Sequence, residues 1–150
     1  MKKLIAVLLI LMLIAPAAGA DNLAETIEQY NSAAEFTGVP QVTSLPVDGT
    51  YLCLETGMLL MFIKSETSDD IDLVSCMTFG KPDGEAFLLT ACTLLHMYTP
   101  SNDVTNFGRL LQSFMIAKNN NVSAGVVTSN DLLGRITYNK DQYQFYLELK

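Results

Sequence analysis

Basic residues and histidine are scarce in this 150-residue sequence, and each shortage excludes a class of function. Nine Lys and Arg residues stand against 16 Asp and Glu residues, which gives a formal net charge of −7. A surface of that sign repels phosphate backbones and anionic headgroups, so we expect neither nucleic acid nor a membrane surface as a partner. Because His96 is the single histidine, a Ser-His-Asp arrangement can form nowhere else.

The common sequence motifs of catalytic and metal sites are also absent. The chain contains no G-x-S-x-G, no H-E-x-x-H, no phosphate-binding glycine loop and no C-x-x-C. The acidic stretch SETSDDIDL, residues 65–73, lacks the glycine and glutamate spacing of a calcium loop. We therefore assign no catalytic, cofactor-binding or metal-binding residue. Paired carboxylates of the kind that glycosidases use remain an open alternative, since any two of 16 acids can converge in a fold.

Three cysteines, Cys53, Cys76 and Cys92, are too few and of the wrong parity for a disulfide framework, so a hydrophobic core must stabilise the chain. A Cys53–Cys76 bridge requires that their two strands lie side by side, about 4.8 Å apart. A simple meander instead places the strand at 58–64 between them. Cys92 is expected on a helix, out of reach of both. We predict no bridge.

The first twenty residues are typical of a secretory signal peptide. Lys2 and Lys3 precede an apolar run at residues 4–14, and small residues at 18–20 form an A-x-A-like cleavage site. The run is shorter than the roughly 20 residues that span a bilayer, which disfavours an uncleaved anchor. We expect cleavage after Ala20, export from the cytoplasm (secreted or periplasmic) and one globular domain over residues 21–150. Removal of both lysines lowers Lys+Arg from 9 to 7 and changes the net charge from −7 to −9.

Residue periodicity predicts an α+β fold. Helical spacing of apolar residues predicts helices over residues 21–38, 85–98 and from 104 to the three asparagines at 119–121. Short apolar or alternating runs predict strands at 50–55, 58–64, 71–80, 122–127, 131–138 and 142–150. The order α-βββ-αα-ββ(β) separates strands from helices, which favours an antiparallel sheet of five to six strands with the helices packed on one face.

The same patterns predict which side chains meet the core. In residues 71–80 we expect Ile71, Leu73, Met77 and Phe79 on the more apolar face, with Cys76 on the other. The last helix carries an apolar stripe that we expect to be buried, formed by Val104, Phe107, Leu111, Phe114 and Met115. Residues 58–63 are apolar at every position, as in a strand that is covered on both faces or lies in mid-sheet.

Cys92 and His96 are the best candidate for a reactive pair, because residues four apart on a helix are neighbours. A helical wheel places His96 with Glu85, Thr90 and Thr93 on the polar side, and Cys92 at the edge of the apolar arc. Glu85 is about 16 Å away along the axis, too far to orient the histidine. Two ligands are also too few for a zinc site. We interpret the pair as a boundary histidine beside a half-buried thiol on a core-packing helix.

Three hypotheses about function follow from these features. The leading one is an exported, non-enzymatic α+β domain that binds an unknown protein or small molecule, on its sheet or between sheet and helices. The alternative is a small secreted hydrolase or thiol enzyme that uses Cys92 and His96. The third is a homodimer that pairs through an exposed strand edge at residues 142–149.

Overall fold

The computed structural model describes residues 23–43, 51–54 (backbone only), 57–68, 70–79, 83–99, 104–140 and 142–149. The predicted signal peptide therefore lies outside the described residues. The secondary structure, in chain order, is α1 (Leu23–Thr37), β1 (Tyr51–Leu54), β2 (Met58–Lys64), β3 (Ile71–Thr78), α2 (Gly84–Tyr98), α3 (Val104–Asn120), β4 (Ser123–Val127), β5 (Leu133–Asn139) and β6 (Gln142–Glu148). This is the predicted α+β order, with all three C-terminal strands formed.

The strands form one antiparallel sheet in the order β1-β2-β3-β6-β5-β4. Two meanders, β1-β2-β3 and β4-β5-β6, join where β3 pairs with β6. The prediction that residues 142–149 form an exposed edge is therefore wrong. β6 lies between β3 and β5, and both of its backbone edges are paired. The edge strands are β1 and β4.

The three helices cover one face of the sheet, as predicted. The middle helix, α2, contacts β3, β6 and both other helices, whereas α3 lies over β4 and β5. At the other side, Tyr30 of α1 meets Phe62 of β2 with ring centroids 6.4 Å apart. Phe87 of α2 stacks on Tyr143 of β6 at 5.1 Å, so aromatic side chains join the helices to the sheet in two places. None of the described helices is long and apolar enough to cross a lipid bilayer.

Local sequence fixes where the helices begin and end. The Asp83 side chain accepts hydrogen bonds from the backbone N–H groups of Glu85 and Ala86 at 2.9 and 3.2 Å, and so caps the start of α2. Gly38, with φ +70°, ends α1 as predicted, and its N–H reaches the Ala34 carbonyl at 2.9 Å.

The core-facing side of β3 is not the predicted one. Val74, Cys76 and Thr78 are buried beneath the helices, while Leu73 and Met77 lie on the opposite face. Both faces of β3 carry apolar residues, so alternation alone could not choose between them. An extra residue between Ile71 and Leu73, where the β2 register shifts, also lets Ile71 stay buried although it shares the parity of Leu73.

The predicted apolar stripe of α3 is half correct. Phe107 and Phe114 are buried, but Val104, Leu111 and Met115 are 57%, 37% and 47% exposed. The buried side of α3 instead comprises Asn106, Phe107, Leu110, Ser113, Phe114 and Ala117. The helix carries more apolar residues than its contact with β4, β5 and α2 can cover.

The β4 edge is occupied by side chains of α3. The Ser113 hydroxyl donates to the Gly125 carbonyl at 2.7 Å, and the Arg109 guanidinium donates to the Val127 carbonyl at 2.7 Å. These carbonyls therefore already have donors, which protects this edge against pairing with another strand.

Candidate functional site

The Cys92–His96 pair lies inside the helical layer rather than at its boundary. Cys92 is 2% exposed and His96 is 3% exposed. The imidazole stacks on Phe107 of α3, with ring centroids 6.2 Å apart and 29° between the planes. A substrate has no direct approach to side chains at this depth.

The expected polar side of α2 is buried because α1 packs against it. Thr90 and Thr93 are fully buried, and the hydroxyl oxygen of Thr93 lies 3.3 Å from that of Thr37 in α1. Both threonines also donate to carbonyls one turn back in their own helix, at 2.9 Å each. Threonine satisfies its hydroxyl in this way, so a face that reads as polar can still enter a core.

The buried thiols are protonated at neutral pH. Burial raises the pKa of Cys92 from its ordinary value of 9.0 to about 12. Burial also raises the pKa of Cys76 well above its usual range, and the neighbouring Cys92 thiolate would raise it further. Cys76 of β3 and Cys92 of α2 are buried in the same hydrophobic core. Both are free thiols.

The position of Cys53 fits the predicted meander. β1 pairs with β2, and β2 separates it from β3, so the backbones of Cys53 and Cys76 are not on adjacent strands. The Cys53 side chain lies outside the described residues. The described part of the chain contains no group of three or more His, Cys, Asp or Glu residues that could hold a metal ion.

Cys92 and His96 line neither of two surface cavities on the described part of the chain. One, of about 360 Å³, lies where the end of α1 meets the start of α2, and is lined by Gly38, Val39, Pro40, Asp83, Glu85, Ala86 and Leu89. Its carboxylate at Asp83 is already engaged in capping α2. The second, of about 200 Å³, is a depression over the β4-β5-β6 half of the sheet and is lined by Gly125, Val126, Val127, Leu133, Gly134, Arg135, Tyr146 and Glu148.

This second cavity belongs to a larger surface, the sheet face opposite the helices, which we call the open face. The strand register aligns its side chains in three rows that run from β4 through β5, β6 and β3 to β2. The first row is Val127, Leu133, Glu148, Leu73 and Ile63; the second is Gly125, Arg135, Tyr146, Ser75 and Met61; the third is Ser123, Thr137, Gln144, Met77 and Leu59. In the part of the chain that the structure describes, no helix covers these rows, although Ser75 in the middle row is fully buried and Leu59, Met61, Leu73 and Met77 are half-buried.

The open face is more apolar than a solvated sheet face normally is. Antiparallel sheets commonly place polar side chains on the side away from the core. β6 follows that rule with Gln144, Tyr146 and Glu148, but β2 and β3 present Leu59, Met61, Ile63, Leu73 and Met77. At the β4–β5 end, Val127 and Leu133 are 50% and 53% exposed. On the open face, the polar side chains of β6 thus lie between the apolar side chains of β2 and β3 on one side and those of β4 and β5 on the other.

The cavity and both charged side chains of the open face lie in its β4-β5-β6 half. The Arg135 guanidinium lies 5.8 Å from the centre of the Tyr146 ring, a cation–π contact across β5 and β6. A side chain in place of Gly125 would meet no atom within 4 Å, so this position is a gap beside Arg135. The open space at Gly125, next to the Arg135–Tyr146 pair, can accommodate a side chain of a partner.

Sequence analysis named the sheet as a possible binding surface but did not identify which side chains form the open face, although one signal pointed to it. The unbroken apolar run at residues 58–63 was interpreted as a strand covered on both faces or in mid-sheet. The structure covers Met58, Leu60 and Phe62 with helices and leaves Ile63 37% exposed. The unbroken apolar run therefore has two different surroundings: one face of β2 packs beneath the helices, and the described chain places no helix over the other face.

Comparison with known proteins gives no further guide to the site. No protein-family model, no curated protein and no solved structure matches the chain.

Proposed function

We propose that the protein is a small exported, non-enzymatic binding domain, and that the open face of its sheet is the surface that binds a protein partner. One observation carries the proposal: β2 and β3 place apolar side chains on both faces, and helices cover only one of them. Exposed apolar surface on a folded domain costs solubility, and a partner that buries it offsets that cost.

The composition of the open face favours a protein over a small ligand. Methionine, tyrosine and arginine are enriched at the centres of protein interfaces, and Met61, Met77, Tyr146 and Arg135 all lie in its rows. Small molecules usually occupy enclosed cavities of about 300 Å³ or more. The depression on the open face is about 200 Å³, which suits an inserted side chain better than a whole ligand.

The burial of Cys92 and His96 argues against the alternative of a thiol enzyme or hydrolase. A thiol nucleophile must ionise near neutral pH, and the pKa of Cys92 is raised to about 12. Its neighbouring imidazole is packed on Phe107 inside the helical layer.

Site-specific photo-cross-linking in cells that produce the protein tests this function. A photoreactive phenylalanine analogue replaces Leu133 or Ile63 on the open face, and in a matched control it replaces Met115, which is similarly exposed on α3. We expect adducts from Leu133 and Ile63 and none from Met115. A lack of adducts from both open-face positions, or equal adducts from Met115, would refute the proposal.

A further inference from the structure

We infer that the partner on the open face is a second copy of this chain, bound face to face as two stacked sheets. This inference rests on the proposed function and names its partner. Two sheets that present apolar inner faces pack about 10 Å apart, and the open face supplies the same surface from each copy.

Charge on the open face favours a second copy over a basic or acidic protein. Its fifteen row positions hold one cation, Arg135, and one anion, Glu148, so the face is neutral on a chain of net charge −7. The excess negative charge lies elsewhere. Two copies can meet here without opposing their acidic surfaces, and a strongly charged partner would find no complementary charge.

The two charges are also self-complementary. In a two-fold interface, residue i of one copy contacts residue j of the other, and the reverse contact follows by symmetry. Arg135 and Glu148 lie on adjacent strands, one row apart, because Arg135 pairs with Tyr146 and Glu148 pairs with Leu133. A two-fold axis near this point places Arg135 of each copy against Glu148 of the other.

The size of the open face fits a weak dimer. Five strands, each about 4.8 Å wide, and three rows, each about 6.8 Å deep, cover roughly 24 Å by 20 Å, or on the order of 500 Å² before side-chain relief. Stable interfaces bury about 800 Å² per partner, and smaller ones are transient. We therefore expect a dimer that dissociates in the micromolar range.

The other exposed features serve self-association less well. The β4 edge is occupied by Ser113 and Arg109. The outer side of α3 exposes Val104, Leu111, Met115 and Ile116, but these lie on one helix, whereas the open face extends across five strands with described side chains. The open face is therefore the broader apolar surface.

Two charge-reversal variants, studied separately and then mixed, test the inference. The protein is purified after a host cell has exported it and removed the predicted signal peptide. Arg135→Glu gives a face with two acids, and Glu148→Arg gives a face with two bases. Each variant alone should dissociate at least tenfold more readily than the wild type in sedimentation velocity. An equimolar mixture should restore the dimer, because acid then faces base in both contacts. Thermal melts show whether each variant is folded.

Matched controls carry the same charge changes elsewhere. Lys118→Glu and Glu28→Arg alter exposed residues of α3 and α1 by the same amounts and should leave the dimer intact. As a measurement independent of the charge pair, Leu133→Asp should abolish the dimer while Met115→Asp should not. A wild type that is monomeric up to about 500 μM, a dimer that persists in Leu133→Asp, or a mixture that stays monomeric would overturn the inference. Cross-links from the open face to other proteins alone would overturn it too, and would leave the binding function supported.

Discussion

Cys92 should be almost inert toward iodoacetamide in the folded protein. The thiolate is the reacting species, and burial raises the pKa of Cys92 to about 12. At pH 7 that leaves roughly one thiol in 10⁵ ionised, against about 1% for an unfolded thiol of pKa 9.0, so alkylation should be at least about 1,000-fold slower than in the unfolded chain. The 2% exposure of the side chain slows it further.

The assay is alkylation at pH 7, resolved by peptide mass spectrometry so that Cys92 is followed separately from the other two cysteines. The same protein in 6 M guanidinium chloride gives the reference rate for an accessible thiol. A thiol enzyme would behave in the opposite way, with fast alkylation of Cys92 that slows in His96→Ala. A folded-state rate within about tenfold of the unfolded rate would refute the account of this pair.

Three other predictions concern stability and processing. Asn106→Ala should lower the free energy of unfolding by about 2 kcal/mol, measured by urea titration, because the buried amide bonds both the backbone N–H and the hydroxyl of Ser129 at 2.8 and 3.2 Å; Asn120→Ala, at an exposed site, is the control. Stability should fall above pH 9, because the raised pKa of Cys92 stabilises the fold fully below its unfolded value of 9.0, and this contribution is lost as the pH rises toward 12. Cys92 accounts for about 1.4 kcal/mol of the fall at pH 10, and Cys76, whose pKa is also raised by burial, adds to it. Cys92→Ala should show a smaller fall, and a pH-independent urea midpoint would contradict the assignment. Intact mass of the exported protein should correspond to residues 21–150, and an uncleaved mass would contradict the signal peptide.

Element order was predictable because local patterns determine it. The alternation of Tyr143, Phe145 and Leu147 predicted a half-buried strand, and β6 buries all three beneath the helices. Gly38 predicted the end of α1, where a positive φ is required. These features depend on neighbours within a few residues, which a single sequence contains.

Strand order and burial were less predictable because they depend on distant partners. β6 is central because β3, about 70 residues earlier, pairs with it: Ser75 lies opposite Tyr146 and its hydroxyl donates to the Phe145 carbonyl at 2.7 Å. His96 is buried although the wheel placed it on the polar side, because α1 and α3 enclose α2. The side chains of the open face could not be identified for the same reason, since which face of β2 the helices cover is decided by tertiary packing.

The native methionines report on the open face most directly, without any substitution. Met61 and Met77 lie on the open face, Met58 and Met97 are buried beneath or within the helices, and Met115 is exposed on α3. In ¹³C-methyl methionine NMR spectra recorded from about 5 to 500 μM, a range that brackets a micromolar dimer, we predict that only Met61 and Met77 shift with concentration. Methyl signals that stay fixed throughout, or a shift confined to Met115, would contradict the account.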